Sequence, residues 1–167
     1  MKVHLDLVIM NHQCSGLVKM ETHFKQGVYK PQNSEKYIGS NYPQYRSSWE
    51  LKFFRWADLT ETILAWGSEN IIIPYINPLD NKVHRYFVDN FVVFKDNKGD
   101  KKKFLIEIKP SKQVAKPIPN NRKKQSTMLY EQTTWITNQA KWEAAKKWSE
   151  KKGYQFIILT EKELGIR

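Results

Sequence analysis

Phe104-Leu-Ile-Glu-Ile-Lys-Pro110 is the stretch that decides how this chain is read. It is short and apolar, as a core strand should be, yet it carries Glu107 and Lys109. Side chains alternate faces along a strand. Glu107 and Lys109 therefore point one way, and Phe104, Ile106 and Ile108 the other. A carboxylate and an ammonium at the end of a buried strand are costly unless they are paired or hold a metal. Pro110 ends the strand, because it cannot donate to a ladder.

Glu-x-Lys alone is a weak signal, since the chain holds three: Glu50-Leu-Lys52, Glu107-Ile-Lys109 and Glu150-Lys-Lys152. The first and third fall in predicted helices, where a spacing of two puts the side chains on different faces. Only the middle one lies on a strand, where the two side chains converge.

The neighbouring segments supply a second acid. Ile71–Ile76 reads as a strand, with Pro74 marking an edge or a bulge, and Asn77–Asn81 as a turn. Val83–Phe94 reads as one strand of β-branched and aromatic residues interrupted by Asp89. Asp96-Asn-Lys-Gly-Asp100 reads as the hairpin turn back into the opening strand. The three strands form a predicted antiparallel meander. Asp89 then lies on the strand next to Glu107. Two such carboxylates repel unless something positive sits between them. Mg²⁺ suits the place, because it takes one or two carboxylates, a carbonyl and several waters. The Ile108 carbonyl is the expected third donor. Lys109 would orient or deprotonate an attacking water, or neutralise a scissile phosphate. The plain alternative is a structural Asp–Lys or Glu–Lys pair.

Upstream, Tyr45–Ala57 reads as a helix capped by Ser47 or Ser48, with Trp49, Phe53 and Trp56 as its apolar stripe. Glu50 falls in its first turn, as a carboxylate aimed into a site or as a complement to the helix dipole. Trp66-Gly-Ser-Glu69 reads as a turn, and His84 as a surface or turn residue. Downstream, Ser111–Ser126 reads as a loop too polar to pack. Its Lys112, Lys116, Arg122, Lys123 and Lys124 have no acid among them. It is either a solvated loop or a phosphate-contacting arm. Thr133–Lys152 reads as a long helix ended by Gly153. Trp135, Gln139, Trp142, Ala145 and Ser149 share one of its faces. Ile136, Ala140, Ala144 and Trp148 share the next. Tyr154–Leu159 is a strand positioned to join the sheet by a crossover. Thr160–Glu163 resembles a capping box opening a short last helix. The predicted order is α-β-β-β-α-β, an α/β (α+β) fold with a central mixed β-sheet flanked by helices.

The 167 residues fit one domain with a sizeable core. A net charge of +11 favours polyanionic partners, nucleic acid before anionic membrane. One cysteine excludes an internal disulfide framework and fits a reducing cytoplasm. No zinc-ligand spacing and no apolar run of membrane-spanning length is present. Met1–Met10 could be a short strand or a tail, and Met20 an internal start.

The Asp…Glu-x-Lys pattern, with Glu50 as an extra carboxylate, resembles the PD-(D/E)xK nuclease superfamily and its restriction-endonuclease-like fold. Val88, in place of proline before Asp89, departs from that pattern. Five ordered blocks narrow the resemblance: Tyr45-Arg-Ser-Ser-Trp-Glu-Leu-Lys52, Ile73-Pro-Tyr-Ile-Asn-Pro-Leu-Asp80, His84-Arg-Tyr-Phe-Val-Asp89, Leu105-Ile-Glu-Ile-Lys-Pro110 and Thr137-Asn-Gln-Ala-Lys-Trp142. Together they resemble the head completion nucleases of tailed phages, a family related to the TnsA-like endonucleases. The resemblance covers roughly residues 27 to 164. It implies a Mg²⁺-dependent DNA nuclease, with Mn²⁺ as a substitute metal, needed when packaged heads are joined to tails. Glu50, Asp89, Glu107 and Lys109 would be the catalytic set. Asp89, Glu107, the Ile108 carbonyl and Glu50 would hold the metal.

Candidate DNA contacts are Arg46, Lys112, Lys116, Arg122, Lys123, Lys124, Gln139 and Lys141. Double-stranded DNA is the expected partner, with phage head or neck proteins beside it. Neither a membrane nor a small-molecule cofactor is expected. The expected setting is the host cytoplasm during phage assembly, with association with the virion left open. No base-reading module is evident, so little sequence specificity is expected. Residues 1–26 read as an N-terminal extension, in part disordered, and 27–167 as a single nuclease domain. Two rival readings stand beside this one. One is a non-catalytic DNA-binding or head-joining protein with the same fold. The other is a GIY-YIG nuclease built on Gly27-Val-Tyr29 and Tyr37-Ile-Gly39, with Arg46 nearby.

Overall fold

A computed structural model describes residues 26–166. The strand or tail expected at residues 1–10 lies outside them. The opening stretch lies in β7 (Lys101–Ile108), and its apolar residues are why it is central. Phe104 through Ile108 are all buried, so both faces of the strand are covered. β7 pairs antiparallel with β6 (Asn90–Lys95) and parallel with β8 (Gln155–Leu159). β6 in turn pairs antiparallel with β3 (Ile63–Ser68). The sheet order is β3-β6-β7-β8, a mixed sheet as expected.

Helix α1 (Ser48–Leu59) covers one face. Ser47 is its N-cap, and its hydroxyl accepts from the Glu50 N–H at 3.1 Å. Phe53, Phe54 and Ala57 of α1 pack on Trp66, Val92, Phe104, Ile106 and Ile108. The buried stripe is therefore centred on Phe53 and Phe54, and Trp49 and Trp56 flank it half-buried. Helix α3 (Gln125–Lys152) covers the other face, setting Trp142 and Ala145 against Leu105 and Phe91. Gly153 ends α3 at φ 70°, a left-handed conformation that glycine adopts without strain.

Several sequence expectations are corrected here. Of the residues read as a turn, Trp66, Gly67 and Ser68 belong to β3, and only Glu69, at φ 55°, lies beyond it. Gly67 sits in a strand because no Cβ fits: one built there would lie 2.4 Å from Phe91 and 2.7 Å from the Ile38 carbonyl. Val83–Phe94 is two strands. β5 (Lys82–Phe87) pairs with β4 (Ile72–Asn77) in a separate two-stranded hairpin, and the chain breaks at Val88-Asp89 before β6 begins. The expected α-β-β-β-α-β order survives with different members: α1, β3, β6, β7, α3 and β8. The β4–β5 hairpin is an insertion into it.

Ser111–Ser126 is not wholly a loop. Ser111–Val114 forms a short helix, α2, and α3 starts at Gln125, eight residues before the expected Thr133. On α3 it is Asn138, not Gln139, that shares the buried face with Trp142, Ala145 and Ser149. After β8 the chain turns instead of opening a helix, although Glu163 accepts from both the N–H and the hydroxyl of Thr160. Two short strands, β1 (Gly27–Val28) and β2 (Gln44–Tyr45), pair with each other beside α1. Asp58 ties this region down. Its buried carboxylate accepts from the Tyr29 hydroxyl at 2.7 Å, the Gln32 N–H at 2.7 Å and the Asn33 N–H at 3.0 Å.

Candidate active site

The site forms where the β5–β6 break meets the end of β7. In the ladder, Asn90 pairs with Ile106. Continued by two residues, that ladder would bring Val88 opposite Ile108. Instead the Val88 N–H donates to the Ile71 carbonyl at 3.0 Å, and the Asp89 carbonyl accepts from the Glu69 N–H at 3.1 Å. The Asp89 side chain takes the vacated place. Its Oδ2 accepts from the Ile108 N–H at 2.9 Å. The Ile108 carbonyl lies along the same edge as that N–H, so it faces Asp89.

Lys109 lies between the two acids. Its Nζ is 3.0 Å from Glu107 Oε1 and 3.4 Å from Asp89 Oδ2. Burial pushes the Asp89 carboxyl up to about 7, Glu107 adds to that push, and Lys109 and the Ile108 N–H oppose it. Burial alone would lower Lys109, but Asp89 and Glu107 outweigh it and hold the ammonium above its ordinary range. Two carboxylates thus share one ammonium in a largely desolvated place.

Glu50 stands at the start of α1. Its carboxylate accepts from the Arg46 N–H at 2.5 Å, so it serves the helix end, and it adds weakly to the rise of Asp89. Both readings of Glu50 therefore have a physical basis. Arg46 pairs with Glu69 at 2.6 Å and feels Glu50 and Asp89 as well.

Sequence reasoning missed Tyr86. Its hydroxyl donates to Glu107 Oε2 at 2.6 Å inside the core. Burial pushes the phenol far above its ordinary range, and Glu107 and Asp89 push it further, so it stays a donor. The usable signal was an aromatic hydroxyl three residues before Asp89 on a strand face that needed burial, since a buried tyrosine hydroxyl requires a partner.

The other candidates are spread around this centre. Lys141, on α3, holds Nζ 5.7 Å from the ring centre of Tyr86 and 5.8 Å from that of Tyr75. Gln139 is exposed on α3. Lys112 is exposed on α2, which follows β7 directly. Lys116 lies 5.9 Å from the Trp135 ring, and Arg122 and Lys124 are exposed. Lys123 is paired with Glu131 at 2.7 Å, so the basic segment is not without an acidic neighbour. His84 is half-exposed on the hairpin, 2.8 Å from Asp80.

The GIY-YIG arrangement does not form. β1 pairs with β2 and not with Tyr37–Gly39, and both Tyr29 and Tyr37 pack on Trp66. Among the described residues no three His, Cys, Asp or Glu side chains gather as a metal-binding group. The donors at hand are two carboxylates and a main-chain carbonyl. Such a hard-oxygen set suits Mg²⁺, which keeps several waters.

A mixed sheet between two helices, with an Asp and a Glu-x-Lys at adjoining strand ends, is consistent with a TnsA-like endonuclease fold. The chain belongs to the TnsA-like endonuclease N-terminal family, whose model matches residues 60–161. It is also 41% identical over 141 residues to the head completion nuclease of Enterobacteria phage T4, an alignment covering 81% of this chain and 90% of that protein.

Proposed function

We propose that this chain is a Mg²⁺-dependent DNA nuclease of little sequence specificity, acting in phage head completion and head–tail joining in the host cell. The observation that carries the proposal is Lys109 Nζ lying between Asp89 and Glu107 at the end of a buried strand. The family match and the name of the phage T4 relative support the same activity. Mn²⁺ is expected to substitute for Mg²⁺. Residues 27–167 form the nuclease domain, and residues 1–26 an extension to it.

The residues fit a cation. Asp89 and Glu107 exceed Lys109 by one negative charge when ionised, and the Glu107 charge adds to burial in raising Asp89. Asp89, Glu107 and the Ile108 carbonyl would hold the ion, with Glu50 as a further carboxylate. Bound there, Mg²⁺ supplies Lewis acidity toward a phosphoryl oxygen and lowers the pKa of a water. Lys109, kept as an ammonium, stabilises charge on the phosphate and orients the water more readily than it takes a proton. Arg46, Lys112, Lys116, Arg122, Lys124 and Lys141 hold the backbone through contacts that are independent of sequence and sensitive to salt. Double-stranded DNA is the substrate, and head or neck proteins are the partners at the work site.

Plasmid nicking tests this reading in three lanes: wild type with Mg²⁺, wild type with EDTA, and Asp89→Asn with Mg²⁺. Only the first is expected to nick. Equal DNA loss in all three lanes, or none in any, rejects the nuclease and leaves a non-catalytic DNA-binding or head-joining protein.

A further inference from the structure

The β4–β5 hairpin interrupts the core order of this fold, yet it reaches the centre of the site through one atom. Tyr86 lies on β5, 3% exposed, among Ile73, Val88, Leu105 and Trp142. Its ring is also covered by the Lys141 ammonium. Strand, helix and cation together fix where the hydroxyl points. It points at Glu107, itself 2% exposed, and donates to Oε2 at 2.6 Å. The other oxygen, Oε1, is the one that faces Lys109 at 3.0 Å.

We propose that Tyr86 is a positioning residue that locks Glu107 by Oε2, so that Oε1 alone is presented to a divalent cation. The inference rests on the metal-dependent reading above and deepens it. A carboxylate without this lock rotates about its last bond and can offer either oxygen or both. A hydrogen-bonding partner behind a metal-binding carboxylate typically accounts for about 10–100-fold in metal affinity or activity. Tyr86 never touches the phosphate or the water. Its role is to preset the ligand, so its loss should weaken the ion and spare the DNA.

The test uses Tyr86→Phe in the full chain, which keeps the buried ring and removes only the hydroxyl. Calorimetry with Ca²⁺ measures the ion alone, without cleavage. Titration of Mg²⁺ in the nicking assay measures its use. The Ca²⁺ dissociation constant and the half-maximal Mg²⁺ concentration are both expected to rise about tenfold or more. KM for DNA at saturating Mg²⁺ should stay within about twofold. Tyr75→Phe, on the same hairpin and also beneath Lys141, should bind Ca²⁺ as wild type does.

An unchanged Ca²⁺ affinity in Tyr86→Phe, or an equal loss in Tyr75→Phe, overturns the positioning role. Loss of DNA affinity with metal affinity intact overturns it as well. Wild-type protein that binds Ca²⁺ but never cleaves DNA rejects the nuclease reading and leaves the role of Tyr86 standing on the calorimetry. Wild-type protein that binds no divalent cation rejects both.

Discussion

Replacing Asp89 with asparagine in metal-free protein should make the fold more tolerant of alkaline pH. Asp89 titrates near 3.8 in an unstructured chain and is pushed up to about 7 in the fold, by burial and by Glu107. The folded state therefore holds a proton that the unfolded state has lost. By linkage, stability falls as pH rises through that window and levels off above it. A difference of about 3 pH units at about 1.36 kcal/mol each sets a ceiling on the order of 4 kcal/mol. The Asp89 side chain is 23% exposed, so solvent screening brings the realised figure below that ceiling. For a chain of this size, about 1 kcal/mol shifts the melting temperature by about 2–4 °C. Asparagine keeps an oxygen for the Ile108 N–H and cannot ionise. In EDTA, the melting temperature of Asp89→Asn relative to wild type should climb by about 5–10 °C between pH 4.5 and 8. Scanning calorimetry across that range measures it. Added Ca²⁺ should reverse the trend for wild type only, because a cation favours the ionised acid. A difference that is flat with pH, or that falls, would refute the claim that Asp89 is ionised at a cost in the fold.

Four further outcomes follow from the same geometry. Lys109→Ala should abolish nicking with DNA affinity within about threefold by filter binding, and parallel loss of both would make Lys109 a phosphate clamp. Tyr29→Phe should retain full nicking activity, since its hydroxyl serves buried Asp58 rather than the site; inactivity in a folded variant would revive the GIY-YIG alternative. Replacing Lys116, Arg122 and Lys124 together with glutamine should reduce the salt slope of DNA binding by about 0.9 for each phosphate that is no longer neutralised. An unchanged slope would return that segment to plain solvation. Gly67→Ala should destabilise the fold by about 1–3 kcal/mol in urea melts, because the Ile38 carbonyl would lie 2.7 Å from the new methyl; a neutral result would mean that the segment moves away without cost.

Sequence alone made the centre of this molecule readable and left its surroundings less so. Alternation along 104–108 placed Glu107 correctly, because a strand buried on both faces leaves little freedom. The Asp96–Asp100 turn was legible because Asp96 accepts from the Lys98 and Asp100 N–H groups and Gly99 adopts φ 89°. The split of Val83–Phe94 was not legible. Its residues favour strand throughout, and the break comes from distant partners, Ile71 and Glu69, that claim the backbone of Val88 and Asp89. The strand at Trp66 was hidden by Gly67, which is there for lack of space and not for a turn. The first two turns of α3 were hidden because Lys124 provides no side-chain cap and the residues following it are mostly exposed. Tyr86 went unnoticed because its one signal, a buried hydroxyl in need of a partner, does not name that partner, and Glu107 lies on another strand.

The hairpin's neck has an evolutionary reading. Ile71 and Val88 close its base at 3.0 Å, so the chain leaves and re-enters the sheet at nearly one point. Topologically such a loop can lengthen, shorten or be exchanged while the sheet stays intact. Chemically it cannot, as long as the Tyr86 hydroxyl is what holds Glu107 Oε2. Descendants of this fold that trim the hairpin would need to recruit a donor from elsewhere, and α3, whose Lys141 lies 5.7 Å from the Tyr86 ring centre, is one packed element that could supply it.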